Sequence, residues 1–337
     1  MASLKAYILT RLLLTIPMVL ILLSIVFYIM RVLPGDPVLA IVGMKASEEQ
    51  IEKLRHELGL DKPLWAQYFD YLFGLLRGDF GRSMIWGKRP VLAEIWDHFP
   101  ATLELSIAGF TISVVLGVLT GAFAAVKQGT RTDAALRVWS IIAYALFIPL
   151  LGMFLQLVFG VWLKWFPVAG RKNPVIDVPT ITGFYVIDSL LVGSLDGFID
   201  ALWHLFLPAL TLGIVLSGIY TRLVRSSMLS VLGEDFVRAL KARGIKEGDI
   251  LFKHVLKNAF IPVLTMMGLQ FALLLAGAVL TETTFSWPGI GTFLIERIEY
   301  RDYTTVQGTI VFYALLVSLV SLVVDIVYAY IDPRIRY

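Results

Sequence analysis

The sequence predicts an all-α integral membrane protein with six transmembrane helices. Of its 337 residues, 58% are hydrophobic and only 16% are charged, whereas soluble domains carry about a quarter charged residues. The hydrophobic residues are concentrated in six uncharged runs, and most of these reach the roughly 20 residues that a helix needs to cross a bilayer. The runs comprise residues 12–30, 105–126, 138–163, 205–221, 259–281 and 303–324.

The first run is predicted to be a retained membrane helix. Lys5 and Arg11 precede it, which is also how a signal peptide begins. The apolar stretch is 19 residues long and no small-residue cleavage site follows it, so a membrane helix is the better interpretation. The fourth run is shorter than the others, and we expect its helix to include flanking residues.

The long loop after the first run is predicted to be helical rather than disordered. Ser47 and Gln50 have the spacing of a capping box, which marks the start of a helix. A second helix is predicted to begin near Pro63. Its apolar stripe and flanking aromatic residues indicate that it lies on the membrane interface or packs against the bundle.

The distribution of basic residues predicts the orientation in the membrane, because short loops rich in Lys and Arg lie on the cytoplasmic side. Basic residues are concentrated in the second loop, in the fourth loop and in the C-terminal tail. Both termini are therefore predicted to be cytoplasmic. Because these residues are distributed by side rather than gathered into one patch, no nucleic-acid partner is predicted. Outside the fourth loop they are Lys127, Arg131, Arg137, Arg334 and Arg336.

The third loop, residues 164–204, contains a semi-apolar stretch at 181–195 that is too mixed for a span, because Asp188 lies inside it and Asp196 flanks it. We expect either a lid or partner-docking element on the outer face, or a partly buried surface loop. In either case the stretch adds no seventh crossing.

Polar residues within or beside the spans need partners, because each one is costly in hydrocarbon. Glu104 and Asp325 stand at the ends of uncharged runs, where hydration or a basic neighbour would satisfy them. Gln156 and Gln270 lie well inside the third and fifth runs. They either line a polar translocation path or form hydrogen bonds between helices.

The fourth loop, residues 222–261, is the most highly charged part of the chain. Eight of the 29 Lys and Arg residues lie between positions 222 and 257. Phe236, Ala239 and Leu240 have helical spacing, and Gly244 stands where a left-handed cap would end the helix. The pattern predicts a short amphipathic helix that projects from the membrane and is presented to a partner in the cytosol.

This loop resembles the coupling loop of binding-protein-dependent ABC importer permeases. Their general motif, Glu-Ala-Ala followed three residues later by Gly, is degenerate here, since the chain reads Arg238-Ala239-Leu240 before Gly244. The peptide-importer variant of the motif fits better. The matching residues are Gly233-Glu234-Asp235-Phe236, Arg238, Lys241-Ala242-Arg243-Gly244 and His254-Val255-Leu256-Lys257-Asn258-Ala259, followed by Pro262.

Further stretches resemble the same family, so that the likeness covers nearly the whole chain. Two lie in the first loop and contain Asp36 and Asp79. A third, Thr281 to Gly291, contains Glu282, Trp287 and Pro288 and follows the fifth span. There the sequence predicts a turn rich in Gly and Pro that is anchored by a Trp at the membrane interface. The reading Thr182-Gly183-Phe184 in the third loop is similar to the dipeptide-type permeases.

The resemblance implies a type I ABC importer permease of the plasma (inner) membrane, forming half of a path for di- and oligopeptides by ATP-driven alternating access. The implied partners are a second homologous permease in a heterodimer, two cytoplasmic ATP-binding subunits, an extracytoplasmic substrate-binding protein and the lipid membrane. ATP and Mg would be used by the ATP-binding subunits, and this chain would bind no cofactor or metal. Residues 1–100 would hold the first helix and the helical loop, 101–330 the transport core and 331–337 a cytoplasmic tail.

The resemblance also implies roles for particular residues. Asp36, Asp79, Glu282, Trp287 and Pro288 would form an extracytoplasmic gate or a docking surface for the binding protein. The helix that couples to the ATP-binding subunits would comprise Glu234, Asp235, Phe236, Arg238, Ala239, Leu240, Lys241, Ala242, Arg243, Gly244 and Ile245.

Several alternatives are weaker. The sequence has no phosphate-binding Walker loop, no zinc helix and no nucleophile elbow, so no catalytic role is predicted. An intramembrane aspartyl protease would need facing aspartates, whereas Asp36 and Asp325 are expected near opposite faces. A channel or secondary transporter would have no need of the basic helix in the fourth loop. A scaffold that anchors the ATP-binding subunits, and a cargo of oligosaccharides or nickel complexes, remain open.

Overall fold

The computed structural model describes residues 4–32, 47–57, 59–85 and 88–331, and within these ranges the chain is helical without a β-strand. A π-helical segment, Gln156–Trp162, extends α6, while a turn at Glu247–Asp249 and a π-helical segment, Ile250–Val255, lead into α10. The helices are α1 Leu4–Val32, α2 Glu48–Glu57, α3 Leu64–Leu76, α4 Val91–Val126, α5 Arg131–Ala145, α6 Ile148–Leu155, α7 Tyr185–Val192, α8 Leu195–Leu232, α9 Asp235–Ala242, α10 Leu256–Gly277, α11 Val279–Thr284, α12 Ile290–Glu299 and α13 Tyr303–Ile331.

Five helical segments are long and apolar enough to cross a membrane, and they confirm five of the six predicted spans. They are α1, α4, α8, the segment leading into and including α10, and α13. The fourth predicted run lies inside the much longer α8, so its flanking residues do belong to the helix, as expected.

The third predicted span, residues 138–163, is formed by two helices rather than by one continuous helix. Helices α5 and α6 are bent by 103° where they meet. Pro149 is the physical reason, because it stands in the first turn of α6. A proline there has no backbone N–H, and its ring would clash with the carbonyl of Ala145, so α5 cannot continue through it.

The bent pair nevertheless joins the two ends of the bundle. Helices α4 and α8 pack closely and run parallel to each other. Glycines that come later in α4 lie against residues that come later in α8. A Cβ atom on Gly109 would lie 2.9 Å from the Cβ of Leu212, and one on Gly121 would lie 2.8 Å from the Cβ of Val224. The chain leaves α4 at one end and enters α8 at the other, so α5 and α6 together make the sixth crossing.

The first helix and the loop behind it pack on the last helix. Leu23 and Val26 of α1 form an apolar cluster with Val311 of α13. Helix α3 is attached to α1 by a 2.6 Å hydrogen bond between the hydroxyls of Ser24 and Tyr68. The remaining face of α3 exposes aromatic rings. The predicted packing of this helix against the bundle is confirmed, and its position on the membrane interface stays a prediction. The expected division at residue 100 falls inside α4 and stays a prediction.

Candidate functional site

The predicted coupling helix is present as α9. It begins after Glu234, whose backbone is extended, and ends at Ala242. Gly244 has a positive φ of 74°, and the Ile245 N–H donates to the Leu240 carbonyl across it at 3.3 Å. This is the left-handed cap that glycine adopts without strain, so the predicted stop of the helix is confirmed.

One face of α9 is anchored to the bundle through a residue that the sequence analysis missed. Val237 is only 2% exposed and belongs to a large apolar cluster built by α8, the π-helical segment before α10 and α10 itself. Phe236, Leu240 and Ile245 are partly buried against the same cluster. The spacing of Val237 and Leu240, three residues apart, was the available signal. The principal buried partners are Met228, Val231, Ile250, Val255 and Ala259.

The opposite face of α9 is open. Ala239 and Ala242 are exposed there, and their small side chains leave the helix surface accessible at close range. Two exposed ion pairs involve residues of α9, Arg238 with Asp235 at 3.4 Å and Lys241 with Glu247, beyond the helix, at 3.8 Å. Exposed pairs of this kind contribute little stability, so their charged groups can pair with a partner protein instead of with each other. The face also presents Glu234 and Arg243.

At the other end of the bundle, Glu282 is fully buried in α11 and holds the turn between α11 and α12. Its Oε1 accepts a hydrogen bond from the Thr102 hydroxyl at 2.7 Å, and its Oε2 accepts from the backbone N–H groups of Gly291 and Thr292 at 2.7 and 3.2 Å. Thr102 in turn accepts from the Ile290 N–H at 2.8 Å. The carboxylate therefore caps α12 and attaches it to α4.

Trp287 does not face the membrane interface as the predicted anchor would, because its side chain is buried inside the protein. Its side chain is 1% exposed, and its indole N–H donates to the Ala101 carbonyl at 2.8 Å. The indole fills an apolar cluster with Leu105 and Leu212, because burying a ring that has a partner for its N–H is favourable. Of the predicted gate residues in this turn, only Pro288 is exposed.

The two predicted aspartates of the first loop have different outcomes. Asp36 lies outside the described residues. Asp79 is exposed, and its Oδ1 accepts from the Gly81 N–H at 2.9 Å, which shapes a turn. The buried link from this loop is made instead by Asp302, whose Oδ2 accepts from the Ser83 hydroxyl at 2.6 Å and whose Oδ1 accepts from the Met84 N–H at 3.1 Å.

Glu104 is satisfied by a basic neighbour, which was one of its two expected solutions. Arg171 donates to its Oε2 through Nε and Nη2 at 3.0 and 2.6 Å, and the Val186 N–H donates to Oε1 at 2.9 Å. A second buried ion pair nearby joins Arg297 of α12 to Glu94 of α4 at 3.1 Å. These pairs attach the third loop and α12 to the same helix.

The structure distinguishes between the two alternatives for only one of the two glutamines predicted within the spans. Gln156 donates to the carbonyls of Val168 and Thr284 at 2.6 and 3.0 Å, so it fastens the end of α6 to its neighbours. This supports the interhelical alternative for Gln156. Gln270 is half-buried in α10, and both alternatives stay predictions for it.

The third loop contains only the short helix α7 in its semi-apolar stretch, as predicted. Asp188 organises it by accepting from the N–H groups of Ile181, Thr182 and Gly183 and from the Thr182 hydroxyl. Burial on its own raises the pKa of Asp188, but the hydrogen bonds outweigh burial and hold its pKa below the ordinary value. An open cavity of about 620 Å³ lies beside the loop, bordered by Arg171, Tyr185 and Pro288.

The arrangement has the features of a membrane transport component. It has six crossings, a small helix held by one face at one end, and buried carboxylates that secure loops at the other. Among the described residues, no group of three His, Asp or Glu side chains is placed to hold a metal ion. These features define a polytopic α-helical membrane protein.

The chain belongs to the family of binding-protein-dependent transport system inner membrane components, whose profile matches residues 117–337. The N-terminal profile of the same systems matches residues 4–106. The protein is therefore a multi-pass protein of the inner membrane and the membrane component of its transport system, as the sequence predicted, rather than an ATPase subunit.

Curated relatives match over almost the whole chain. The di/tripeptide transport system permease protein DppB of Pseudomonas aeruginosa is 45% identical, over 92% of this chain and 93% of that protein. The dipeptide transport system permease protein DppB of Alkalihalophilus pseudofirmus is 41% identical, over 98% of this chain and 99% of that protein. Among solved structures, the inward-facing MetNI methionine ABC transporter is similar in fold, with a TM-score of 0.51, 15% identity and coverage of 72% of this chain and 96% of that chain.

Proposed function

We propose that this chain is the permease subunit of an ABC importer and forms half of the path through which di- and oligopeptides enter the cell. The observation that carries the proposal is the construction of α9. Val237 fastens one face of this helix to the bundle, while Ala239 and Ala242 leave the other face exposed. A helix held in this way can receive a partner and pass its movement to the spans.

The partners are a second homologous permease, two cytoplasmic ATP-binding subunits and an extracytoplasmic substrate-binding protein. ATP and Mg are used by the ATP-binding subunits, in keeping with a family of binding-protein-dependent systems. The basic residues around α9 favour a cytoplasmic position for that end of the bundle and for both termini. Arg238, Lys241 and Arg243 pair there with acidic groups of an ATP-binding subunit.

The transport cycle is alternating access. Closure of the ATP-binding subunits displaces α9, and the spans attached to it reorient so that the path opens to the other side. The turn held by Glu282 and Trp287, together with the exposed Pro288 and Asp79, forms the extracytoplasmic gate and the surface facing the binding protein. Asp36 is assigned to the same surface from its motif. Gln270 is half-buried and is the better of the two glutamines for lining the path.

Peptides are the proposed cargo because the relatives that match at 41–45% identity are named for dipeptide or di/tripeptide transport. The deciding experiment is uptake into proteoliposomes that contain this chain with its partners, the binding protein and ATP. Di- to pentapeptides, cello-oligosaccharides and nickel complexes would be compared. ATP-dependent entry of peptides is the expected result. Entry of sugars or nickel alone would contradict the cargo, and uptake without ATP would contradict the mechanism.

A further inference from the structure

A partly buried ion pair joins α5 to α8 at the end of the bundle that carries α9. The Arg225 guanidinium donates to Asp133 in a bidentate arrangement, from Nε to Oδ1 at 2.7 Å and from Nη2 to Oδ2 at 2.8 Å. The Asp133 side chain is 2% exposed and that of Arg225 is 20% exposed. Fork-to-carboxylate pairs of this type are the strongest and most directional of protein ion pairs.

The same carboxylate also secures the turn between α4 and α5. Oδ2 of Asp133 accepts from the Gly129 N–H at 3.1 Å, and the Thr130 hydroxyl accepts from the Asp133 N–H at 3.4 Å as the N-cap of α5. Arg137, one turn along α5, approaches Oδ1 at 3.6 Å from the solvent side. Asp133 thus connects α8, the α4–α5 turn and the start of α5.

Packing alone does not account for this pair. The C-terminal part of α5 already lies close against α8, because a Cβ atom on Gly218 would come within 3.0 Å of the Tyr144 nitrogen. Buried ion pairs can often be replaced by apolar side chains at little or no cost in stability. Besides holding α5 and α8 together, the pair fixes their relative orientation. A bidentate contact constrains how the ends of the two helices lie relative to each other.

The position of Arg225 connects this contact to α9. Val224 and Met228, on either side of Arg225 along α8, both belong to the apolar cluster that holds Val237. A displacement of α9 must therefore move this part of α8. Asp133 would then carry the displacement into α5, which is the first half of the bent third span.

We infer that the contact between Asp133 and Arg225 transmits the movement of α9 to the third span, so that both are positioning residues for coupling. This inference rests on the proposed function. Without the contact, the ATP-binding subunits still dock on α9 and hydrolyse ATP, but α5 follows α8 less closely. Fewer substrate molecules are then imported for each ATP that is hydrolysed.

The test measures the ratio of ATP hydrolysed to substrate imported by the complete importer in proteoliposomes. For Asp133→Asn and for Arg225→Gln we expect this ratio to rise at least about fivefold, the low end of ordinary coupling free energies between sites. Arg225→Lys keeps the positive charge but cannot form the bidentate contact, so a smaller rise in this ratio is expected. The control removes an exposed pair, Lys62 with Asp70 at 2.6 Å, by Lys62→Gln, which should leave the ratio unchanged.

A purely structural pair would behave differently. Its variants would unfold at lower temperature while the folded complexes kept the wild-type ratio, and that outcome would overturn the inference. If the complex that contains Arg225→Gln does not assemble, the Arg225→Lys variant is used for the test instead. A wild-type ratio of ATP hydrolysed to substrate imported in that variant equally contradicts a transmitting role. The ratio is measured with whichever substrate the wild-type importer takes up, so a wrong cargo leaves this test intact. A wild-type complex that hydrolyses ATP but imports none of the three cargo classes contradicts the proposed function instead.

Discussion

Thr102 and Glu282 are separated by 180 positions in the sequence and are joined by a 2.7 Å hydrogen bond in the interior of the protein. Thr102 and Glu282 are both fully buried, with 0% exposure. The hydroxyl donates to the carboxylate and accepts from the Ile290 N–H, so one small side chain connects α4, α11 and the start of α12. A buried carboxylate that relies on so few donors is sensitive to the loss of any of them.

We therefore expect Thr102→Val to destabilise the protein by about 1–3 kcal/mol, the usual cost of leaving a buried polar group without its partner. The measurement is thermal unfolding in detergent. Thr111→Val is the matched control, because the Thr111 hydroxyl is exposed and donates only to a carbonyl of its own helix. Equal unfolding temperatures for the two variants would contradict the importance of the contact.

Gly244→Asp and Ala239→Glu should leave the protein in the membrane but uncouple ATP hydrolysis from import. An Asp at position 244 is strained by the positive φ of 74°, and a Glu at position 239 adds bulk and charge to the exposed face of α9. ATPase activity and substrate uptake would be measured together. Ala239→Ser, nearly equal in size to the wild type, serves as control, and normal uptake by Ala239→Glu would refute the docking role of this face.

Val237→Ala should loosen α9 by about 2 kcal/mol, because two buried methyl groups are removed from the cluster. Hydrogen exchange of the backbone amides in α9 would report this loosening directly. Val175→Ala is the control, since Val175 is 88% exposed. Unchanged protection of α9 in the first variant would show that the helix is held by something other than this cluster.

Arg171→Gln should destabilise the protein by about 3–5 kcal/mol, since it leaves the buried Glu104 carboxylate without its cation. In the double variant Glu104→Gln/Arg171→Gln neither charge of this pair remains, and much of the lost stability should be recovered. Chemical or thermal unfolding of the two single variants and the double variant completes the cycle. Additive effects of the single substitutions would mean that the two residues do not act as a pair.

The third loop should become sensitive to acid through Asp188. Its hydrogen bonds lower its pKa in the folded loop, so the stability they provide is complete above the ordinary aspartate pKa. That stability is lost as the pH falls through the lowered, folded-state pKa. Limited digestion with pepsin should therefore spare residues 180–188 near pH 5 and cut them only in stronger acid. In Asp188→Asn the segment should be cut at both pH values, and equal resistance of the two proteins would contradict this assignment.

The features of this fold that the sequence predicted are those that depend on neighbouring residues. Runs of apolar residues located five continuous spans and the bent pair of α5 and α6. The spacing around Phe236 indicated α9, and Gly244 located its C-terminal end. The break in the third span lay at Pro149, a visible signal within an otherwise unbroken apolar run. Val237 was missed because Phe236, Ala239 and Leu240 are apolar as well, and in so short a helix their spacing does not by itself indicate which face is buried.

The sequence by itself determined the class of the protein, its membrane helices and the placement of α9, because apolar length, charge and helix caps act over a few neighbouring residues. Only the tertiary structure decided which partners satisfy the buried charges. Arg171 finds Glu104 across 67 positions and Arg297 finds Glu94 across 203. Such pairs depend on which helices pack side by side, and the cost of burying an unpaired charge then selects the contact.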